Sequence, residues 1–121
     1  KKLGVPVYEL LGGAFRTKIQ LYANYWFTDG GHNGGDYAKQ AKEVKAAGFT
    51  GLKFDPFAHT NYFYGEDLDT NLSLTKSQQD VAFEVSKSVR DAVGPDMDIM
   101  IETHAMLNIK VAIAMAKRLS V

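Results

Sequence analysis

The order of predicted secondary structure constrains this 121-residue chain more than any other feature. Runs of β-favouring residues at 19–27, 51–54 and 97–101 predict three strands, and a stretch with helical periodicity follows each one. A βαβαβα order requires a parallel sheet, because strands joined by helices run in the same direction. Ligands of such sheets bind beyond the carboxyl ends of the strands, so we expect any functional residues to lie there.

Start and stop signals support the three predicted helices. Asp36 is predicted to cap the first helix, and Gly48 is predicted to end it in a left-handed conformation. Thr75 and Gln78 have capping-box spacing for the second helix, and Asn108 is predicted to cap the third. The residues expected to face the core are Tyr37, Ala41 and Val44 in the first helix, Val81, Val85, Val89 and Ala92 in the second, and Ile109, Ala112, Ile113, Ala116 and Leu119 in the third.

Three strands are too few for either common solution of this pattern. An open doubly wound sheet usually has five or more strands, and a closed barrel needs eight in about 250 residues. Residues 1–3 are typical of the end of a helix, and Val121 stands where a further strand would be expected. We therefore expect this chain to be part of a larger α/β domain.

Composition excludes several kinds of function. Fourteen basic residues balance fourteen acidic ones, so no net charge attracts nucleic acid or an anionic membrane surface. The absence of cysteine excludes disulfides, thiolate metal ligands and a cysteine nucleophile, and it fits a reducing compartment. No stretch approaches the roughly 18 apolar residues that span a bilayer. We expect a cytoplasmic protein without nucleic-acid or membrane partners.

Ionisable residues stand at the ends of the second and third predicted strands. Side chains alternate across a strand, so Lys53 and Asp55 should point the same way, as should Glu102 and His104 if the backbone stays extended. All four groups would then converge on one rim of the sheet. Taken singly, each is more often a solvated or packing residue, because such spacings occur in many unrelated chains.

Several segments resemble a known family. Leu3-Gly4-Val5-Pro6-Val7-Tyr8-Glu9-Leu10-Leu11-Gly12-Gly13 resembles the segment that joins the capping domain to the barrel in the mandelate racemase/muconate lactonizing enzyme branch of the enolase superfamily. Residues 21–24, 51–57 and 93–104 are similar, in order and spacing, to barrel strands one to three of its acid-sugar (galactonate-type) dehydratases. The resemblance implies a partial (β/α)₈ TIM barrel. Residues 1–16 would end the capping-domain helix and linker, and residues 17–121 would form the first three βα units.

The same resemblance implies roles for the four strand-end residues. Glu102 falls on the position of a Mg²⁺ ligand that is usually Asp, and Mg²⁺ accepts either carboxylate. His104 matches a histidine that acts as general acid on the departing hydroxyl. Lys53 and Asp55 occupy a K-x-K position whose second lysine is a catalytic base in the racemases. With Asp in that place, we expect Asp55 to accept a substrate hydroxyl and Lys53 to offset charge near the substrate carboxylate.

Five further residues are candidates for substrate binding. Asn24 and Trp26, at the end of the first predicted strand, could line the pocket, although an aromatic residue there can also plug the barrel. His59, Tyr62 and Tyr64 lie in a connection that is long for a βα loop, and long loops on this face are commonly lids or binding loops. Aromatic packing over the rim is an equally good interpretation of that loop.

The resemblance thus implies Mg²⁺-dependent dehydration of a sugar acid. Abstraction of the α-proton and loss of the β-hydroxyl would give a 2-keto-3-deoxy acid. The other two metal ligands would lie on the next two strands, beyond Val121, and the principal base elsewhere in the protein. The full-length protein is expected to be a homo-oligomer that binds a small sugar acid. Two alternatives stay open: a racemase or cycloisomerase on the same scaffold, and a small non-catalytic α/β module that binds a metal or a phosphate group.

Overall fold

The computed structural model describes residues 1–27, 34–57 and 73–120, and the side chains of α2 from residue 37 onward. The elements in these ranges are α1 (Val7–Leu10), α2 (Gly34–Ala46), β1 (Gly51–Phe54), α3 (Lys76–Val93), β2 (Asp98–Ile101) and α4 (Ile109–Leu119). β1 and β2 pair in parallel, with Gly51 opposite Asp98 and Phe54 opposite Ile101. The predicted α/β alternation and parallel pairing are confirmed for this part of the chain.

The first predicted strand, 19–27, is wrong as a regular strand. Its pairing is a single parallel bridge between Ala23 and Leu52. The Ala23 amide donates to the carbonyl of Gly51 (3.0 Å), and the Lys53 amide donates to the carbonyl of Ala23 (2.8 Å). Tyr25 then takes a positive φ of 58°, which ends the extended conformation. Ala23 nevertheless lies beside β1 on the side away from β2, so the three segments follow one another in chain order.

The predicted helix ends are largely confirmed. The Thr75 hydroxyl accepts a hydrogen bond from the main-chain amide of Gln78 (3.2 Å), and the side-chain oxygen of Gln78 accepts one from the main-chain amide of Thr75 (2.8 Å). Asn108 caps α4 by accepting from the Val111 amide (2.9 Å). Gly48 follows α2 with a φ of +89°, a conformation that favours glycine.

The predicted cap of α2 is wrong. The helix begins at Gly34, so Asp36 lies in its first turn instead of before it. An acidic residue is favourable in the first turn as well as at the cap, because both positions lie near the positive end of the helix dipole. An Asp in the sequence therefore predicts where a helix begins only to within about one turn.

The main core lies between α2, α3 and β1. Tyr37, Ala41 and Val44 are buried on α2 as predicted, and Leu52 and Phe54 of β1 are fully buried against the helices. The α3 residues of this core are Val85, Val89 and Val93. A second cluster joins α3 to α4 and consists of Phe57, Leu74, Ala82, Val111 and Met115. Val81 is 42% exposed, so the predicted α3 stripe is wrong at that position.

The predicted buried face of α4 is also wrong. Val111 and Met115 are its buried residues, whereas Ile109 is 80% and Ile113 52% exposed, and Ala112 and Ala116 are exposed as well. Leu119 alone of the predicted stripe packs partly against the second cluster. The helix has apolar residues on more than one face, and only one of these faces meets α3. The other, formed by Ile109, Ala112, Ile113 and Ala116, is exposed.

Residues 1–16 provide no member of either core cluster in the described part of the chain. Residues 1–3 lie in a turn, α1 is a single helical turn, and Leu11 and Phe15 are 82% and 95% exposed. None of the helices in the described ranges is both long and apolar enough to cross a lipid bilayer.

Candidate active site at the carboxyl ends of the strands

Lys53 lies on the face of β1 opposite the core. Because Leu52 and Phe54 point toward the helices, alternation turns the Lys53 side chain the other way. Its ammonium is 3.0 Å from Oε2 of Glu102 and 5.7 Å from the centre of the Tyr22 ring. The hydrogen bond to Glu102 raises the pKa of Lys53 above its usual value, so this side chain is a cation at neutral pH.

Glu102 continues the β ladder one residue beyond β2, because its amide donates to the carbonyl of Phe54 (2.9 Å). Its Oε1 accepts from the amides of His104 (2.9 Å) and Thr103 (3.0 Å), and its Oε2 accepts from Lys53. The His104 amide, followed by Lys53, lowers the pKa of Glu102 to about 2. Glu102 is thus an anion at neutral pH, and its side chain keeps 32% of its surface exposed.

Asp55 and His104 form a second pair across the same two strand ends. Asp55 is 4% exposed, and its Oδ1 accepts from the amide of Phe57 (2.7 Å). Its Oδ2 lies 3.5 Å from Nε2 of His104, whose side chain is 58% exposed. The backbone does not stay extended here, because His104 and Ala105 have φ values of 48° and 57°. A turn, and not strand alternation, therefore brings the imidazole to Asp55.

The four ionisable residues thus lie together as two pairs, each of which joins β1 to the end of β2. This convergence on one rim is what the strand pattern predicted. The roles of these residues in a reaction stay predictions.

The chemistry of Glu102 fits one ligand of Mg²⁺. Mg²⁺ prefers oxygen ligands in an octahedron, and an ionised, partly exposed carboxylate supplies one. Within residues 1–27, 34–57 and 73–120, no group of three or more Asp, Glu, His or Cys side chains is placed to hold a metal ion. A complete Mg²⁺ site would therefore need ligands from outside these residues.

The remaining predicted binding residues have different surroundings. The indole of Trp26 donates to the carbonyl of Lys53 (2.9 Å) and packs edge-on against Phe54, with ring centres 5.6 Å apart. Asn24 is exposed. Contact of either residue with a substrate stays a prediction. His59, Tyr62 and Tyr64 lie outside the described residues.

Tyr37 has a role that the sequence pattern did not indicate. Its hydroxyl donates to the main-chain carbonyl of Asp55 (3.5 Å), so α2 braces the segment that carries the Asp55–His104 pair. Burial, and then the charge of Asp55, raise the pKa of Tyr37, which keeps the hydroxyl protonated. The available signal was general: a tyrosine on a buried helix face needs a hydrogen-bond partner for its hydroxyl.

Comparisons with known proteins identify similar sequences. Over 118 residues the chain is 42% identical to a D-gluconate dehydratase from Thermoproteus tenax, covering 98% of this chain and 22% of that protein. It is 34% identical over 119 residues to a D-gluconate/D-galactonate dehydratase from Picrophilus torridus, covering 98% of this chain and 28% of that one. The chain therefore spans about a quarter of the length of these two relatives.

A solved structure is similar over nearly the whole chain. A member of the enolase superfamily from Salmonella Typhimurium superposes with a TM-score of 0.77 at 31% identity, covering 97% of this chain and 32% of that one. This likeness identifies the parallel strands as part of a TIM-barrel-type fold. Residues 36–121 match the family described as enolase C-terminal domain-like. Because that match covers most of the 121 residues, the chain belongs to the enolase C-terminal domain-like family.

Proposed function

We propose that the protein carrying this chain is a Mg²⁺-dependent hydro-lyase of the cytoplasm that dehydrates a sugar acid of the aldonate class to a 2-keto-3-deoxy acid. Residues 1–16 would be the linker from a capping domain, and residues 17–121 the first three βα units of a barrel. The complete protein would be a homo-oligomer. The two relatives described above, whose names give gluconate and galactonate as substrates, support this substrate class.

The observation that carries the proposal is the pairing of Lys53 with Glu102 and of Asp55 with His104 on one rim. This rim lies at the carboxyl ends of two adjacent parallel strands, where barrel enzymes have their active sites. Removal of a proton next to a carboxylate requires positive charge close to the developing anion. Lys53 supplies one such charge, and Glu102 provides a ligand for another.

Three of these four residues then have a defined task. Glu102 would hold Mg²⁺ as one of several ligands, and the bound ion would offset the charge that builds on the substrate carboxylate. Lys53 would lie close to that carboxylate and add to the positive potential. His104, exposed at the rim, would give a proton to the departing β-hydroxyl, which leaves as water. The base that takes the α-proton would come from another part of the protein.

Purified full-length protein tests this proposal directly. It would be incubated with D-gluconate, D-galactonate and other aldonates, with Mg²⁺ and after treatment with EDTA, and 2-keto acid would be measured by its semicarbazone absorbance. We expect product to form only with Mg²⁺. His104→Gln should lose most of its kcat, and Glu102→Gln should lose both Mg²⁺ binding and activity.

A parallel NMR experiment in D₂O separates the alternative reactions. Exchange of the α-proton together with loss of the β-hydroxyl indicates dehydration. Exchange with inversion at the α-carbon and retention of the hydroxyl indicates a racemase and would contradict the proposal. Binding of Mg²⁺ with neither exchange nor product in any aldonate would favour a non-catalytic module instead.

A further inference from the structure

Asp55 is poorly placed to accept a hydrogen bond from a substrate hydroxyl. It is 4% exposed, its Oδ1 is occupied by the Phe57 amide at 2.7 Å, and its Oδ2 faces His104 at 3.5 Å. A substrate group would have to displace one of these contacts. The carboxylate is thus directed toward the histidine, while the histidine is directed toward solvent.

We propose that Asp55 is a positioning residue, whose carboxylate holds the His104 imidazole by Nε2. This inference rests on the proposed function in one respect, namely that His104 gives a proton to the departing β-hydroxyl. It replaces the substrate-hydroxyl role that the family resemblance suggested for Asp55.

The surroundings of Asp55 make it a firm support. The Phe57 amide fixes the carboxylate, the Tyr37 hydroxyl donates to the Asp55 main-chain carbonyl, and Pro56 is fully buried. These contacts tie the residue to α2 and to both core clusters, which contain Tyr37 and Phe57. The position of Asp55 is therefore set by the core and does not depend on a ligand.

His104 is the more exposed member of the pair. It lies in an exposed turn in which two successive residues have positive φ, and its side chain is 58% exposed. The free energy of ordering an imidazole adds to a reaction barrier, and a contact that orders it in advance lowers that cost. A carboxylate that accepts a hydrogen bond from Nε2–H fixes both the ring orientation and the tautomer, as in other histidine–carboxylate pairs.

A double-mutant cycle in the full-length protein tests the proposal. Asp55→Asn keeps an oxygen for the Phe57 amide but removes the charge, so the fold should be retained. Loss of the carboxylate charge that faces Nε2 predicts a fall in kcat of roughly tenfold to hundredfold, with KM for the aldonate little changed. In a His104→Gln background the same substitution should have almost no effect, because Asp55 acts only through the imidazole.

A matched control is Asp98→Asn, an exposed aspartate at the opposite end of β2, which should leave kcat and KM unchanged. Independent effects of Asp55→Asn and His104→Gln that multiply in the double variant would overturn the proposal. So would a rise in KM at constant kcat, which would mean that Asp55 binds substrate. Lack of turnover in the wild-type protein would instead refute the proposed function.

A second measurement needs no turnover. In protein with ¹⁵N-labelled histidine, the Nε2 proton of His104 can be identified by its loss in His104→Gln. We expect a downfield signal in the wild type that moves upfield or disappears in Asp55→Asn. The same signal position in both proteins would overturn the positioning role whether or not the protein dehydrates an aldonate.

Discussion

Replacement of Lys53 by methionine should increase the affinity of the full-length protein for divalent cations. The Lys53 ammonium lies 3.0 Å from Oε2 of Glu102. The Glu102 carboxylate is also the group that we propose as a Mg²⁺ ligand. The two backbone amides that bind Oε1 would keep this carboxylate in place without Lys53. Methionine has a similar length and no charge, so the main change is loss of a positive charge beside the ion.

The size of the effect follows from the distances. With the ammonium 3.0 Å from the oxygen and Mg²⁺ about 2.1 Å from it, the two positive centres would be roughly 4–5 Å apart. Because both side chains are partly exposed, a water-like dielectric constant is appropriate. Coulomb repulsion at that distance predicts about fivefold tighter binding in Lys53→Met at 0.15 M salt, and roughly tenfold or more at 0.01 M.

Isothermal titration of EDTA-stripped protein with Mn²⁺ and with Mg²⁺ at the two salt concentrations would measure this change. Lys53→Arg, which keeps the charge, should bind about as tightly as the wild type. Lys87→Met is a matched control, since Lys87 pairs with Asp91 on the exposed face of α3, and its loss should have no effect. Unchanged or weaker binding by Lys53→Met would refute the reasoning and show that Lys53 supports Glu102 instead of competing with the metal.

Three further predictions concern stability and activity. Thr75→Ala should destabilise the protein by about 1 kcal/mol because it removes the α3 capping box, whereas Ser77→Ala, at an exposed position of the same turn, should have little effect in urea unfolding. Because the folded pKa of Glu102 is about 2 and its ordinary value is 4.5, its stabilising effect should be complete above pH 4.5 and lost as the pH falls toward 2. The difference in unfolding midpoint between wild type and Glu102→Gln should therefore shrink over that interval, and a difference that stays constant would argue against the assigned contacts. Residues 1–121 expressed alone should show no turnover of aldonates with Mg²⁺, and substantial turnover would contradict a site that needs further ligands.

Alternation along the strands predicted that Lys53 and Glu102 share a rim, whereas His104 reaches the same rim through a turn. Lys53 and Glu102 meet because the parallel register puts Lys53 opposite Met100, two residues before Glu102. The register itself could not be predicted, since no local pattern specifies which residues of two parallel strands face each other. The left-handed turn at His104 was equally hidden, because a histidine there has no sequence signal comparable to a glycine.

Errors in the helices and the first strand have a different cause. The α4 pattern contains two apolar faces, and packing against α3 selected the one with Val111 and Met115. A hydrophobic period identifies a helix but cannot say which apolar face meets a particular neighbour. In the same way, β propensity at 19–27 became pairing at Ala23 alone, because strand formation depends on the available partner more than on intrinsic preference.

The indole of Trp26 gives this region a built-in optical probe. Trp26 is the single tryptophan of the 121 residues. Its ring nitrogen donates to the main-chain carbonyl of Lys53, whose side chain belongs to the charged rim. Its ring also packs against Phe54 and Tyr37 of the main core. Changes in backbone position at Lys53 therefore alter the polarity around one fluorophore, whose emission spectrum and quenching connect events at the rim to the state of the core beneath it.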